Sequence, residues 1–343
     1  MTPRLPVGKL PAADLEALLA DVRRPDDRVI VGPRPGEDAA VLSFGDHALV
    51  VAADPVTFAT DRIGSYAVHV NANDVAVLGA PPRWFFAVLL LPEASATADL
   101  AAAIMRDVRE ACDLVGATVC GGHTEITAGL DRPIVIGQML GEVPLVRLVR
   151  KTRVAPGDQV LLTRGAAIEG TAILAREKRR ALERHLETGQ IDAAERLLVD
   201  PGISVVPAAL AAAAAGDVHA MHDPTEGGIV SGLIELVAPS GCGLRVFGDR
   251  IPVLPETRAV CEVFGLDPLR LIASGALLIA AAPDQTEAIR AALGAAGVPS
   301  TVVAEVRPAA DGATMARLGR IEPMVLPARD EIARVFEQRG RLP

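Results

Sequence analysis

Apolar positions at helical spacing open the chain. Leu15, Leu18, Leu19 and Val22 recur at i, i+3, i+4 and i+7, which predicts a short amphipathic helix over 11–22. Two apolar stretches, Ala39–Phe44 and Ala48–Ala53, read as strands, the second ending on Asp54. A helix follows over about 65–78, closed by Gly79 and barred from continuing by Pro81 and Pro82. Arg83–Leu91 is a strongly apolar strand, and Leu100, Ile104, Val108, Ala111 and Val115 form one face of the next helix. Thr118–Cys120 and Ile134–Leu140 complete about five strands and two long helices.

A basic run, Arg147–Arg153, and the turn Ala155-Pro156-Gly157-Asp158 mark a seam. The expected domains are 1–152 and 153–343, both mixed α/β. Beyond the seam come a strand at Gln159–Thr163, helices near 169–187, 205–215, 227–238 and 284–296, and strands near 217–221, 275–281 and 301–306. Residues 176–198 are polar and charged, an expected exposed helical excursion.

The chain has 343 residues, enough for two domains with cores of their own. A net charge of −9 and 3% aromatic residues argue against a nucleic-acid surface. No apolar run approaches a membrane span, and no signal-peptide layout opens the chain, so a cytoplasmic location is expected. The four cysteines, Cys112, Cys120, Cys242 and Cys261, form no Cys-x-x-Cys pair and are expected as small buried hydrophobes.

Asparagine occurs only at Asn71 and Asn73, two residues apart. In a chain so rich in Ala and Arg, that rarity directs attention to 70–82. Five segments deliver acidic or amide side chains near element ends, where polar groups face a ligand crevice. They are Gly36–Val41 with Asp38, Ala53–Pro55 with Asp54, Asn71–Asp74, Gly121–Glu125, and His222–Gly228 with Asp223. Asp38, Asp54, Asp74 and Asp223 offer the oxygen ligands that Mg²⁺ requires, and the Gly121–Gly122 and Gly227–Gly228 pairs permit backbone N–H groups to approach phosphate. On an ideal helix Asn73 is rotated about 100° from Asp74, while Asn71 shares its face. Asn73 and Asp74 are therefore expected near the ligand and Asn71 as structural. Taken singly, each segment also reads as ordinary turn or capping chemistry.

Three lysines, Lys9, Lys151 and Lys178, and no Gly-x-x-x-x-Gly-Lys-Ser/Thr exclude a P-loop. Lys9 is a candidate phosphate contact. His123 with Glu125, or His222 with Asp223, offers an alternative transition-metal reading, although the spacings match no zinc pattern. No Gly-x-Ser-x-Gly elbow supports a serine hydrolase.

In order and content these segments resemble the AIR synthase (PurM-like) superfamily, which includes AIR synthase, thiamine-monophosphate kinase, selenophosphate synthetase and HypE. Gly36–Val41 resembles its Gly-x-Asp-Ala-Ala-Val segment and Asn73-Asp74 through Pro81 its Asn/Ser-Asp helix. Gly121–Glu125 resembles its Gly-Gly-Asp/His-Thr turn, and Asp223–Gly228 its Asp-x-Thr-x-Gly-Gly. The resemblance implies an N-terminal α/β domain whose strands complete a barrel with a second subunit, and a glycine-rich C-terminal α/β domain. It further implies ATP between the domains, with Mg²⁺ on Asp54, Asp74 and Asp223 and with Asp38 close behind. Lys9, Asn73, Gly121, Gly122, Thr124, Thr225, Gly227 and Gly228 are the nucleotide-contacting candidates, and Asp54, His123 and Asp223 the catalytic ones. The implied activity is phosphorylation or activation of a small-molecule oxygen by a homodimer. The HypE-like branch looks nearest, but no cysteine lies near Pro343 and Glu226 stands where HypE usually has Arg. A non-catalytic, nucleotide-binding accessory with a protein partner is therefore the alternative expectation.

Overall fold

The computed structural model describes residues 5, 8–57, 59–327 and 329–337. They divide into two compact units: an N-terminal unit of 25–32 and 38–148, and a C-terminal unit holding 149 onward together with residues up to 24 and 33–37. The expected seam at 152/153 thus moves to 148/149, and the start of the chain joins the second unit. Side chains explain this regrouping. Lys9 Nζ donates to Thr225 Oγ1 at 2.9 Å, Arg23 Nε to the Pro33 carbonyl at 2.8 Å, and Lys151 Nζ to the Gly36 carbonyl at 2.6 Å.

Helix α1 (Ala12–Val22) forms as expected but buries no residue; Leu18 and Val22 are exposed. The N-terminal unit follows as β1 (Val29–Val31), β2 (Ala40–Phe44), β3 (His47–Val56), α2 (Ile63–Ala76), β4 (Pro82–Pro92), α3 (Ala98–Val115), β5 (Thr118–Thr127) and β6 (Ile134–Pro144). The strands make one six-stranded sheet in the order β1-β2-β3-β6-β4-β5. Strand β1, only three residues long, gave no sequence signal.

Helix α3 has a polar face and a stripe that buries Ile104, Val108, Ala111 and Cys112. The Thr97 hydroxyl accepts the Leu100 N–H to start it, and Gly116 at φ 73° ends it. Helix α2 carries Ser65, His69, Asn71, Asn73 and Asp74 and yet, unlike α3, is buried along its whole length except Val70. It reaches the sheet because β6 presents Gly137 and Gly141, four apart on one face. A Cβ at Gly137 would sit 2.4 Å from Asn71 Nδ2, and one at Gly141 2.5 Å from Val75 Cγ1.

The C-terminal unit contains β7 (Gln159–Thr163), α4 (Ile168–Glu177), α5 (Arg179–Leu182), α6 (Thr188–Arg196), α7 (Val206–Ala215), β8 (Val218–His222), α8 (Gly228–Val237), β9 (Gly243–Phe247) and α9 (Pro255–Phe264). Next come β10 (Leu278–Ala281), α10 (Pro283–Ala295), β11 (Ser300–Arg307), β12 (Ala313–Arg317), β13 (Arg320–Pro323) and α11 (Glu331–Glu337). Its sheet runs β13-β12-β9-β11-β7-β10-β8, with β12 parallel to β9 and every other pairing antiparallel. Leu162, Leu244, Val246, Leu278 and Val303 from the sheet pack with Ile229, Leu233 and Leu236 of α8 to form its core.

Residues 176–198 are helical as expected but only partly exposed. Leu182, Ile191 and Ala194 are buried, and α6 packs on α4 and α9. The charges that suggested exposure pair with one another: Arg179 bridges Glu183, Asp192 and Glu195. The stretch Thr188–Ala215 has the length and apolarity of a membrane span. It is not one continuous helix, however, because the backbone is extended at Asp200 before Pro201.

Candidate functional site

In the N-terminal unit, Asn71 ties α2 to the end of β3. Its Oδ1 accepts the Asp54 N–H at 2.8 Å, and its Nδ2 donates to the Asp54 carbonyl at 3.2 Å and the Ala67 carbonyl at 2.8 Å. Strand β2 covers β3 only as far as Val51. At Asp54 the Asn71 amide therefore supplies the donor and acceptor that a neighbouring strand would have supplied. Asn71 thus has a structural part, linking α2 to the Asp54 backbone, and Asp74 follows it one turn further along α2.

Asp74 is buried at 6% exposure, and Asn73, at 0%, exposes no surface at all. The helical wheel did not anticipate that both asparagines would be equally enclosed. Between them and the helix start lies His69, whose pKa burial pushes down to about 4, with the Arg62 charge adding to the effect. It is neutral under ordinary conditions.

Gly121–Glu125, expected as a turn, is instead the middle of β5, running parallel to β4 at the sheet edge. Gly122 has φ 150°, and a Cβ there would lie 1.8 Å from the Ala87 carbonyl oxygen. The glycine is thus demanded by strand packing. His123 and Glu125 pair at 3.4 Å, and both are exposed, as is Thr124. Cys120 is exposed too, contrary to the buried role expected of it, whereas Cys112 and Cys261 are buried.

Asp54, Gly137, Ala87 and Gly122 occupy one transverse row across β3, β6, β4 and β5. Three interstrand steps separate Asp54 from Gly122, about 14 Å. These two positions cannot hold one ion, although an extended ligand spans that distance.

In the C-terminal unit, β8 ends on His222 and delivers the buried Asp223 and then the turn to α8. His222 sits in a chain of charged groups. Lys151 Nζ lies 3.0 Å from its Nδ1, and Glu235 Oε2 lies 3.0 Å from its Nε2. An ammonium only donates, so Nδ1 accepts and Nε2 carries the proton that it donates to Glu235. Burial works to raise Glu235, but the His222 hydrogen bond and the Lys9 and Lys151 charges prevail and hold it below the usual carboxylate range.

Lys9 Nζ pairs with Glu226 at 3.0 Å besides its bond to Thr225. Burial works to raise Glu226 as well, yet the Lys9 ammonium brings its pKa down. The Gly227 N–H donates to Asp330 Oδ2 at 2.5 Å and the Gly228 N–H to the Thr225 carbonyl at 3.0 Å. Neither N–H is directed at an incoming phosphate, as the glycine pair had suggested. What Gly228 provides is room: at φ 65°, a Cβ would be 2.6 Å from the Leu269 carbonyl.

Two buried acids escaped the sequence reading. Glu169 is pushed up to about 7 by burial, while its carboxylate accepts the Ser274 N–H at 3.3 Å. Asp330 is likewise pushed up to about 7 by burial, against the N–H groups of Gly227 and Ile332 that it accepts. Nothing in their local sequence signals burial. Lys151 did carry a signal, as one of three lysines in the chain, by the same rarity that singled out the asparagines.

Residues 36–143 match the family model described as AIR synthase related protein, N-terminal domain, and residues 155–316 the corresponding C-terminal domain. Carbamoyl dehydratase HypE of Cupriavidus necator is 33% identical over 268 residues, covering 76% of this chain and 73% of that protein. The chain therefore belongs to the AIR synthase-related, PurM-like family, and the two-domain α/β architecture is that of the family. Among solved structures, HypE in a HypE–HypF complex superimposes with a TM-score of 0.74 at 22% identity, covering 92% of this chain and all of that one. HypE in complex with ATP gives 0.67 at 22% identity, over 93% and 91%. AaThiL complexed with AMPPCP and TMP gives 0.72 at 18%, over 96% and 98%.

Proposed function

We propose that this protein binds ATP with Mg²⁺ and uses it to phosphorylate or activate an oxygen of a small molecule, acting in the cytoplasm as a homodimer. The observation that carries this reading is the Asn71 link, which joins α2, the helix that carries Asp74, to the Asp54 backbone of β3. The candidates Asp38, Asp54 and Asp74 of the N-terminal unit, and Asp223 of the C-terminal unit, are carboxylates, the oxygen donors that Mg²⁺ prefers. Bound there, the metal would neutralise charge on the transferring phosphoryl group.

The protein's own contribution would be positioning. Asn71 holds the carboxylate-bearing elements rigid, and Lys151 and Glu235 fix the His222 ring next to Asp223. The ATP and AMPPCP complexes of structurally similar HypE and ThiL proteins support the nucleotide. Strand β5 supports the dimer: it is a sheet edge exposed along nearly its whole length, with Ile126 64% exposed, and such edges are normally covered.

A thermal-shift assay tests the site. Asp54→Asn, Asp74→Asn and Asp223→Asn should each abolish Mg²⁺-dependent stabilisation by ATP. Full stabilisation in all three variants would sink the assignment.

One observation favours a second reading, a nucleotide-binding accessory without phosphoryl transfer. Lys9 and both N–H groups of the Gly227–Gly228 turn, expected as phosphate contacts, are engaged inside the C-terminal unit. Binding of ATP with no turnover across a panel of amides, phosphates and amines would select this alternative. The HypE–HypF complex of a similar protein supports a protein partner in that case.

A further inference from the structure

The C-terminal unit holds a cavity of about 440 Å³ that none of the residues discussed above explains. Its walls are β12, the tip of their hairpin, β13, and the segment 267–270 that follows α9. That volume falls in the range of small-molecule sites.

Arg270, Arg317 and Arg320 face the cavity, against only two acids, Asp267 and Glu322. The lining is therefore net positive in a chain whose overall charge is −9. Arg317 and Arg320 are register partners across the hairpin, where two like charges repel. Asp267 relieves this on one side only. Both its oxygens take Arg317 Nη1, at 3.1 and 3.2 Å, and its Oδ2 lies 3.7 Å from Arg270 Nε. Among the described residues Arg320 makes no ion pair.

The hairpin is held in this arrangement. Its turn residues Leu318 and Gly319 both have positive φ, 51° and 74°, and the Leu318 N–H is fixed on the Asp249 carboxylate at 3.1 Å. A leucine in that conformation is strained, so the turn depends on its anchor. Met315, Met324 and Val230 add an apolar wall beside the guanidinium groups. Methionine side chains adapt to varied shapes.

We propose that this cavity is a binding site for a small organic anion, a carboxylate or phosphate monoester with an apolar body. The anion lies between Arg317 and Arg320 and removes their repulsion, and the body rests on Met315 and Met324. The proposal goes beyond the nucleotide reading and does not depend on it.

Methyl NMR of the full chain labelled at methionine tests it, with phenyl phosphate, benzoate, inorganic phosphate and benzyl alcohol as probes. Phenyl phosphate or benzoate should shift the Met315 and Met324 methyls saturably and leave that of Met139, in the core of the other unit, unmoved. Whichever of the two binds more tightly identifies the anion. Inorganic phosphate and benzyl alcohol, each lacking half of the recognition, should bind at least about tenfold more weakly. Arg320→Gln, at an exposed position without an ion pair, should weaken the better probe by about tenfold or more while leaving ATP-dependent stabilisation unchanged. The proposal is overturned if no probe moves Met315 and Met324, if inorganic phosphate binds as well as phenyl phosphate, or if Arg320→Gln and Arg317→Gln both leave affinity intact.

Discussion

Asn71→Ala removes three hydrogen bonds at once, those to the Asp54 N–H, the Asp54 carbonyl and the Ala67 carbonyl. At a net worth of about 1 kcal/mol each, the variant should lose about 3 kcal/mol. For a unit spanning only 25–32 and 38–148 that corresponds to a melting point lower by about 9–18 °C. Asn71→Asp sharpens the test. It keeps the acceptor for the Asp54 N–H but turns an oxygen toward two carbonyls, in a position with no exposed surface. The new carboxyl is disfavoured in its charged form, so its folded pKa is raised. A raised acid binds more protons folded than unfolded, so stability is greatest below the unfolded pKa of about 3.9 and declines as pH rises through the folded value. Asn71→Asp should therefore match or exceed Asn71→Ala in acid and fall below it at neutral pH. Urea unfolding of both variants across that range, followed in the N-terminal unit, is the assay. An Asn71→Ala melting point within error of wild type, or an Asn71→Asp curve with the same pH dependence as Asn71→Ala, would refute the view that this amide replaces a missing strand.

Glu169 supplies a second pH test. With a folded pKa raised to about 7, its contribution is complete in acid and disappears as pH rises through about 7. Glu169→Gln should unfold at higher urea than wild type on the alkaline side, with the difference closing in acid. Gly122→Ala should uncouple β5 from β4, since its Cβ would overlap the Ala87 carbonyl; faster amide exchange at 87–91 would report it. Gly121→Ala, whose Cβ would meet only the Phe86 ring at 3.3 Å, should be far milder.

The long periodic elements were legible in advance. Helix α3 and strands β2, β3, β4 and β6 lie close to their expected positions because each carries a strong apolar pattern and firm end signals. The exposed α1 shows the limit of that signal, since periodicity reports a helix's potential to bury a face and not the presence of something to bury it against. Strand β5 was cut short at Cys120 because Gly-Gly is a turn signal in isolation. It continues as a strand because the Ala87 backbone approaches too closely for any side chain at 122. The candidate site was legible to the same degree. Rarity singled out the asparagines and would have singled out Lys151, whereas Asp330 and Glu169 look like ordinary surface acids until the fold buries them.

By itself the sequence determined the two-unit α/β organisation and the family, because periodicity, motif order and residue type are local or additive properties of the chain. Tertiary structure alone decided which groups are already satisfied. The Gly227 N–H goes to a residue 103 positions away, Lys9 to one 216 away and Lys151 to His222, 71 away. Hydrogen bonds and charge pairs depend on distances in space that no spacing along the chain encodes. For the same reason, only the structure shows that Lys9 and the Gly227 and Gly228 N–H groups are hydrogen-bonded within the C-terminal unit.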